Sequence, residues 1–226
     1  MSYNINSAEK EIEIFPADTE QAPIVYVNSF MKRWKDLYSV CKAAGCPPFT
    51  LAIIGDIVWD DEMSPWAIPP IMPGDTPCTG GADKYLERLV NEIVPDVENS
   101  LSHKPSYRVL AGYSLSGLFA VYAAYHTDMF ARIASVSGSL WFPDFVEYAE
   151  SHELCRVPDC MYFSLGDREC RTRNKYLCTV QDNSEELARY YQSKGIPSVF
   201  ELNKGNHYKD HSGRTAKGIK WVLTQA

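Results

Sequence analysis

Residues 11–15, Glu-Ile-Glu-Ile-Phe, alternate polar and apolar positions, the period of a strand with one face in the core. Residues 23–28, 107–112, 130–136, 161–165 and 198–202 are short β-rich apolar runs, each predicted as a strand. Residues 49–55 are apolar throughout and predict a strand covered on both faces. Between these runs the period lengthens. Residues 35–44 predict a helix closed by Gly45, and 83–97 carry Leu86, Leu89, Ile93 and Val97 at helical spacing. Pro95 is expected to kink or end that helix, because proline has no N–H to donate. Further helices are expected at 115–124, at 183–194 with Gly195 as its stop, and at 215–223. Strands alternating with helices imply an α/β fold, with a mostly parallel central sheet and helices on both faces. No segment is long enough for a large lid domain, and no linker divides residues 1–226, so a single domain is expected.

Residues 59–81 break the alternation. They hold Pro65, Pro69, Pro70, Pro73, Pro77, Gly74, Gly80 and Gly81 and have no usable period. Long irregular loops in such folds are commonly functional. With Trp59, Trp66 and Met72 in it, this one is expected to wall an active site.

Charge and cysteines then narrow the function. The net charge of -7 excludes a phosphate-binding role of the counterion-release kind, so no nucleic-acid partner is expected. No apolar run approaches the roughly 20 residues of a membrane span. The N-terminus has no basic stretch followed by an apolar one, so a cytoplasmic location with reduced thiols is expected. The 7 cysteines include no C-x-x-C pair, and no H-E-x-x-H pattern accompanies His207 and His211, so no metal site is expected.

The chemistry-bearing segment is Ala111-Gly112-Tyr113-Ser114-Leu115-Ser116-Gly117, between a predicted strand and a small apolar helix. It has the form of a nucleophile elbow, G-x-S-x-G, in which small residues let two backbones pass around a strained serine. Ser116 stands where that pattern has glycine, and Gly117 follows. A serine needs a base and an orienting acid. His207, in the turn after the late strand, is the candidate base; Asp167 and Glu169, after the 161–165 strand, are both candidate acids. An oxyanion hole needs backbone donors. Leu115 is one candidate, and Ile57 or Val58, after the 49–55 strand, the other. Asp60, Asp61 and Glu62 are expected to be capping and solvated loop charges. Tyr113, beside Ser114, joins Trp59 and Trp66 as a candidate substrate contact.

Taken jointly, Asp56-Ile57-Val58-Trp59, Ser64-Pro65-Trp66, Gly80-Gly81-Ala82-Asp83, the Ser114 elbow, Ser137-Gly138-Ser139-Leu140-Trp141 and Gly205-Asn206-His207 resemble the putative-esterase family of the α/β-hydrolase superfamily, which includes esterase D-like and enterochelin esterase-like enzymes. The resemblance runs from about residue 50 onward. It implies an α/β-hydrolase fold and hydrolysis of a small-molecule carboxylic ester through an acyl-enzyme, with no cofactor. In related hydrolases the acid stands three residues after a strand-ending glycine, which selects Glu169, with Asp167 as runner-up. The resemblance also suggests Trp141 as a pocket residue. A thioesterase or acyltransferase using the same triad, and a hydrolase-fold binding protein without catalysis, remain as alternatives. The residues name no acyl chain, no alcohol and no oligomeric state.

Overall fold

The chain opens with β1 (Tyr3–Ser7) and β2 (Lys10–Phe15), an antiparallel hairpin turned at Ala8 and Glu9. Both turn residues have positive φ, 47° and 62°. That is the backbone a two-residue hairpin demands, without the Asn-Gly signature that would have announced it. β1 was therefore not visible in the pattern. β3 (Ile24–Asn28), α1 (Leu37–Ala43) and β4 (Thr50–Ile54) follow. The computed structural model describes residues 1–30 and 34–225.

The 59–81 segment is less irregular than its prolines suggested. It contains the short helix α2 (Trp59–Glu62) and a ribbon of β5 (Ala67–Ile68) with β6 (Cys78–Thr79). Its anchor is Glu62, expected to be solvated but only 4% exposed. Lys10 Nζ donates to Glu62 Oε2 at 2.7 Å, Arg88 pairs with Oε1, and Val58 N–H donates to Oε2 at 2.8 Å. A buried carboxylate is tolerated when cations and donors occupy its oxygens.

Next come α3 (Ala82–Arg88), a π-turn over Leu89–Ile93, and α4 (Val94–Asn99). The helix thus runs through Pro95 instead of ending there. The widened turn closes just before the proline, so the hydrogen-bond ladder changes register where no N–H is available. β7 (Arg108–Tyr113), α5 (Leu115–Ala123), β8 (Arg132–Val136), α6 (Phe145–Ser151), β9 (Cys160–Gly166), α7 (Val180–Ser193), β10 (Ser198–Asn203) and α8 (His211–Thr224) complete the order. Every strand and helix expected from the pattern has a counterpart. α6 was missed, and α8 begins at His211 rather than at residue 215.

The sheet has 8 strands in the order β1-β2-β4-β3-β7-β8-β9-β10, parallel from β4 to β10. Successive side chains of each inner strand feed opposite faces. Tyr26, Leu110 and Phe163 join the core under α3, α5 and α7; Val25, Ala111 and Tyr162 join the one under α1 and α8. Two buried faces explain why these strands read as unbroken apolar runs. Among the described residues, no separate lid covers the sheet, and no helix is long and apolar enough to cross a membrane. Because the inner strands are parallel, the loops after β3, β7, β8, β9 and β10 meet at one edge.

Candidate active site

Ser114 sits between β7 and α5 with φ 63° and ψ -128°. Non-glycine residues reach that region only under constraint. A Cβ at Gly112 would collide with the carbonyl and hydroxyl of Ser116, and one at Gly117 would lie 3.0 Å from both Gly112 O and Gly138 Cα. The close approach of the elbow is therefore taken up by Gly112 and Gly117. This is why serine is accommodated at 116, where its buried hydroxyl makes no hydrogen bond to another described residue.

His207 lies between β10 and α8. Its Nε2 is 3.1 Å from Ser114 Oγ and its Nδ1 is 2.7 Å from Glu169 Oε2. Tyr113 Oη donates to the His207 carbonyl at 2.5 Å, tying the base-bearing loop to the strand that carries the serine. Glu169 is 5% exposed at its side chain. Its Oε1 accepts from Gly166 N–H at 2.6 Å, Ser137 Oγ at 2.8 Å and Arg214 Nη1 at 2.9 Å. Burial pushes the Glu169 pKa up, but the His207 hydrogen bond and charge, with the Gly166 and Ser137 donors, outweigh it and hold the carboxyl below its ordinary value.

Asp167, the other candidate acid, is not brought to His207. Its Oδ1 accepts the Gly205 N–H at 2.9 Å, and its own N–H donates to Asn203 O at 2.8 Å. That Gly205 N–H, followed by the nearby Arg168, Arg171 and Lys204 charges, keeps its pKa below the usual value despite some desolvation. β9 and β10 are parallel neighbours, so the first residue past β9 continues their ladder. The carboxylate two positions later clears it and reaches the imidazole.

The oxyanion expectation needs correction on one side. Leu115, the first residue of α5, borders the cleft beside Ser114. Ile57 and Val58 do not border it, and the Val58 N–H is occupied by Glu62. β4 is separated from β7 by β3, and the segment after β4 reaches the cleft at Trp59 and Asp60 rather than at Ile57 and Val58. Phe30, two residues past β3, is 64% exposed and lines the cleft with Ser114.

The cleft itself measures about 690 Å³. Trp59 and Trp141 line it, as do Ile68, Ile71 and Met72 of the proline-rich segment. Trp66 and Tyr113 do not. Trp66 packs on Phe142, Phe145 and Tyr148 with ring centroids 5.6, 6.3 and 5.5 Å away. Tyr113 is 8% exposed and faces the opposite core. Phe30, Ser137 and Arg214 drew no role from the sequence. Ser137 lay within a quoted motif, but nothing marked its hydroxyl as a partner of Glu169.

This sheet order and strained serine turn define a protein of the α/β-hydrolase fold. Residues 57–211 match the family model described as Putative esterase, and the chain belongs to that family of carboxylic-ester hydrolases. It is 23% identical over 220 residues to the uncharacterized protein YbbA of Bacillus subtilis (strain 168), covering 92% of this chain and 88% of that one. Among solved structures, the IroE-like serine hydrolase of Shewanella oneidensis is similar with a TM-score of 0.81 at 18% identity, over 99% of this chain and 79% of that one. The siderophore hydrolase EstA of Aspergillus nidulans gives 0.77 at 19% identity, over 99% and 93%. At these identities the structural likeness is one of fold.

Proposed function

We propose that this protein hydrolyses a carboxylic ester through an acyl-enzyme on Ser114, with His207 as general base and Glu169 as its orienting acid. The observation that carries the reading is the continuous chain Glu169–His207–Ser114, with contacts of 2.7 and 3.1 Å, opening into a cleft of about 690 Å³. Neutral His207 takes the Ser114 proton as Oγ attacks the ester carbonyl. The resulting oxyanion is held by the Leu115 N–H and by a backbone donor at the Phe30 end of β3. The imidazolium, steadied by Glu169, then protonates the departing alcohol. Water, deprotonated by the same imidazole, attacks the acyl-enzyme and returns Ser114 with release of the acid.

A cleft of this size has room for a drug-sized ligand, which favours an ester bulkier than an acetate ester. Among its described lining residues Arg168 is the only Lys or Arg, while Asp60, Asp75 and Glu169 line the same cleft. That balance favours a neutral or cationic ester over a polyanionic one. Siderophores, on which EstA is named as acting, fit this reading only as esters without strong negative charge.

The test is labelling with a fluorophosphonate, followed by hydrolysis of aryl esters of graded acyl length, thioesters and neutral and anionic siderophore esters. The expected result is one adduct on Ser114, none in Ser114→Ala, and turnover that rises with substrate bulk and falls with anionic charge. A folded protein that takes no adduct overturns the reading. Faster turnover of thioesters, or transfer to an added alcohol in preference to water, would reassign the leaving group or the acceptor.

A further inference from the structure

The geometry points to Arg214 as a positioning residue, which acts through Glu169 to aim His207 at Ser114. This rests on the triad reading above. Arg214 lies in the first turn of α8 and is 1% exposed, among the largest fully buried side chains of the described residues. Burying a guanidinium is costly unless its donors are matched. Here its partners lie on the loops of the site and at the end of β7. Nη1 donates to Glu169 Oε1 at 2.9 Å, to Ser137 Oγ at 3.2 Å and to Tyr113 Oη at 3.4 Å; Nη2 donates to Lys204 O at 3.3 Å.

The division of labour at Glu169 is the central point. Oε2 goes to His207 and Oε1 to Arg214, Ser137 and the Gly166 N–H. A carboxylate held by the imidazole alone could rotate. Pinning Oε1 with a fixed cation leaves Oε2 one direction, toward Nδ1. The remaining bonds set the other side of that contact. Lys204 O lies on the loop that carries His207, and Tyr113 Oη, which accepts from Arg214, donates to the His207 carbonyl. The site is tight at Gly166, where a Cβ would collide with the Gly205 carbonyl oxygen and come 2.7 and 2.9 Å from Nη2 and Nη1.

The experiment is a double-mutant cycle with kcat expressed per Ser114 titrated by fluorophosphonate. Arg214→Met is expected to lower kcat by about tenfold to a hundredfold, the loss typical of orienting partners, with KM little changed. Its kcat/KM profile should move its acid limb to higher pH, because the Glu169–His207 pair loses a neighbouring cation. Arg214→Lys should recover part of the loss. In a Glu169→Gln background, Arg214→Met should cost no further kcat. A titrated Arg214→Met with wild-type kcat, or the same loss in both backgrounds, overturns the proposal. If Arg214→Met alone does not fold, the Glu169→Gln/Arg214→Met pair, which leaves no unpaired buried charge, is compared with Glu169→Gln. An added loss there counts against the proposal, and equal kcat supports it. Absence of any Ser114 adduct in the wild-type protein would instead sink the triad reading itself.

Discussion

Replacing one carboxylate oxygen by an amide separates the two acids that follow β9. In Glu169→Gln the side chain keeps its shape and can still accept from Arg214, but it no longer carries charge opposite the imidazole. The Nδ1–Oε2 contact is 2.7 Å, and the Glu169 side chain is 5% exposed against 32% for His207. With the charge centres about 4 Å apart and an effective dielectric near 20, the attraction between imidazolium and carboxylate is about 4 kcal/mol. That attraction exists only when His207 is protonated, as in the transition state, so its loss appears in kcat as roughly a thousandfold. Asp167→Asn removes charge from a half-buried carboxylate that accepts from the Gly205 N–H and does not reach His207, and kcat should stay within about tenfold. The assay is steady-state hydrolysis of an aryl ester, with kcat normalised to the number of Ser114 sites titrated. A thousandfold loss in Asp167→Asn with near-normal Glu169→Gln would refute the assignment. Equal, small losses in both would show that the electrostatic reasoning overstates the dyad.

Stability in acid should carry the same signature. The Glu169 pKa is held below its ordinary value, so its contribution is complete above about pH 4.3 and is lost as pH falls from there through the native value. Urea midpoints between neutral pH and pH 3 should fall less steeply for Glu169→Gln; an unchanged slope would contradict the shift. Lys10→Met removes one of the two cations on buried Glu62, and it should lower unfolding free energy by about 3 kcal/mol in chemical denaturation. A loss under about 1 kcal/mol would mean that Arg88 alone suffices. Gly112→Ala drives a Cβ into the Ser116 backbone, so it should destabilise by about 1–3 kcal/mol and slow fluorophosphonate labelling of Ser114. Normal labelling with normal stability would show that the elbow has slack. Trp59→Ala should raise KM for bulky aryl esters while leaving that of acetate esters nearly unchanged, since Trp59 lines the cleft without belonging to the Glu169–His207–Ser114 chain; equal effects on both would count against a contact with the bulky group alone.

Local physics was enough for much of this protein. Strands buried on both faces have to be apolar throughout, and amphipathic helices have to repeat at 3.6 residues. Residues 49–55 and the Leu86–Leu89–Ile93–Val97 stripe were therefore readable one segment at a time. The elbow was readable because its steric demand, small residues around a strained serine, falls within a few consecutive positions. The same holds for the two carboxylates and His207, each just past a strand. What stayed hidden depends on which strands become neighbours. Hydrophobic period does not encode strand order, so it could not show that β3 would lie between β4 and β7 and bring Phe30 to the cleft, with Trp59 rather than Ile57 or Val58 bordering it from the segment after β4. It likewise could not say that Trp66 would pack on Phe142 while Trp59 faced the cleft. A buried arginine leaves no periodic trace, because its burial is acceptable only once Glu169, Ser137, Tyr113 and Lys204 have converged around it. The sequence by itself determined the elements, the strained serine and the short menu of partners. The family resemblance already favoured Glu169 over Asp167, but only the tertiary structure brings its carboxylate to His207, because that contact depends on how far each acid stands past the end of β9 when β10 lies beside it.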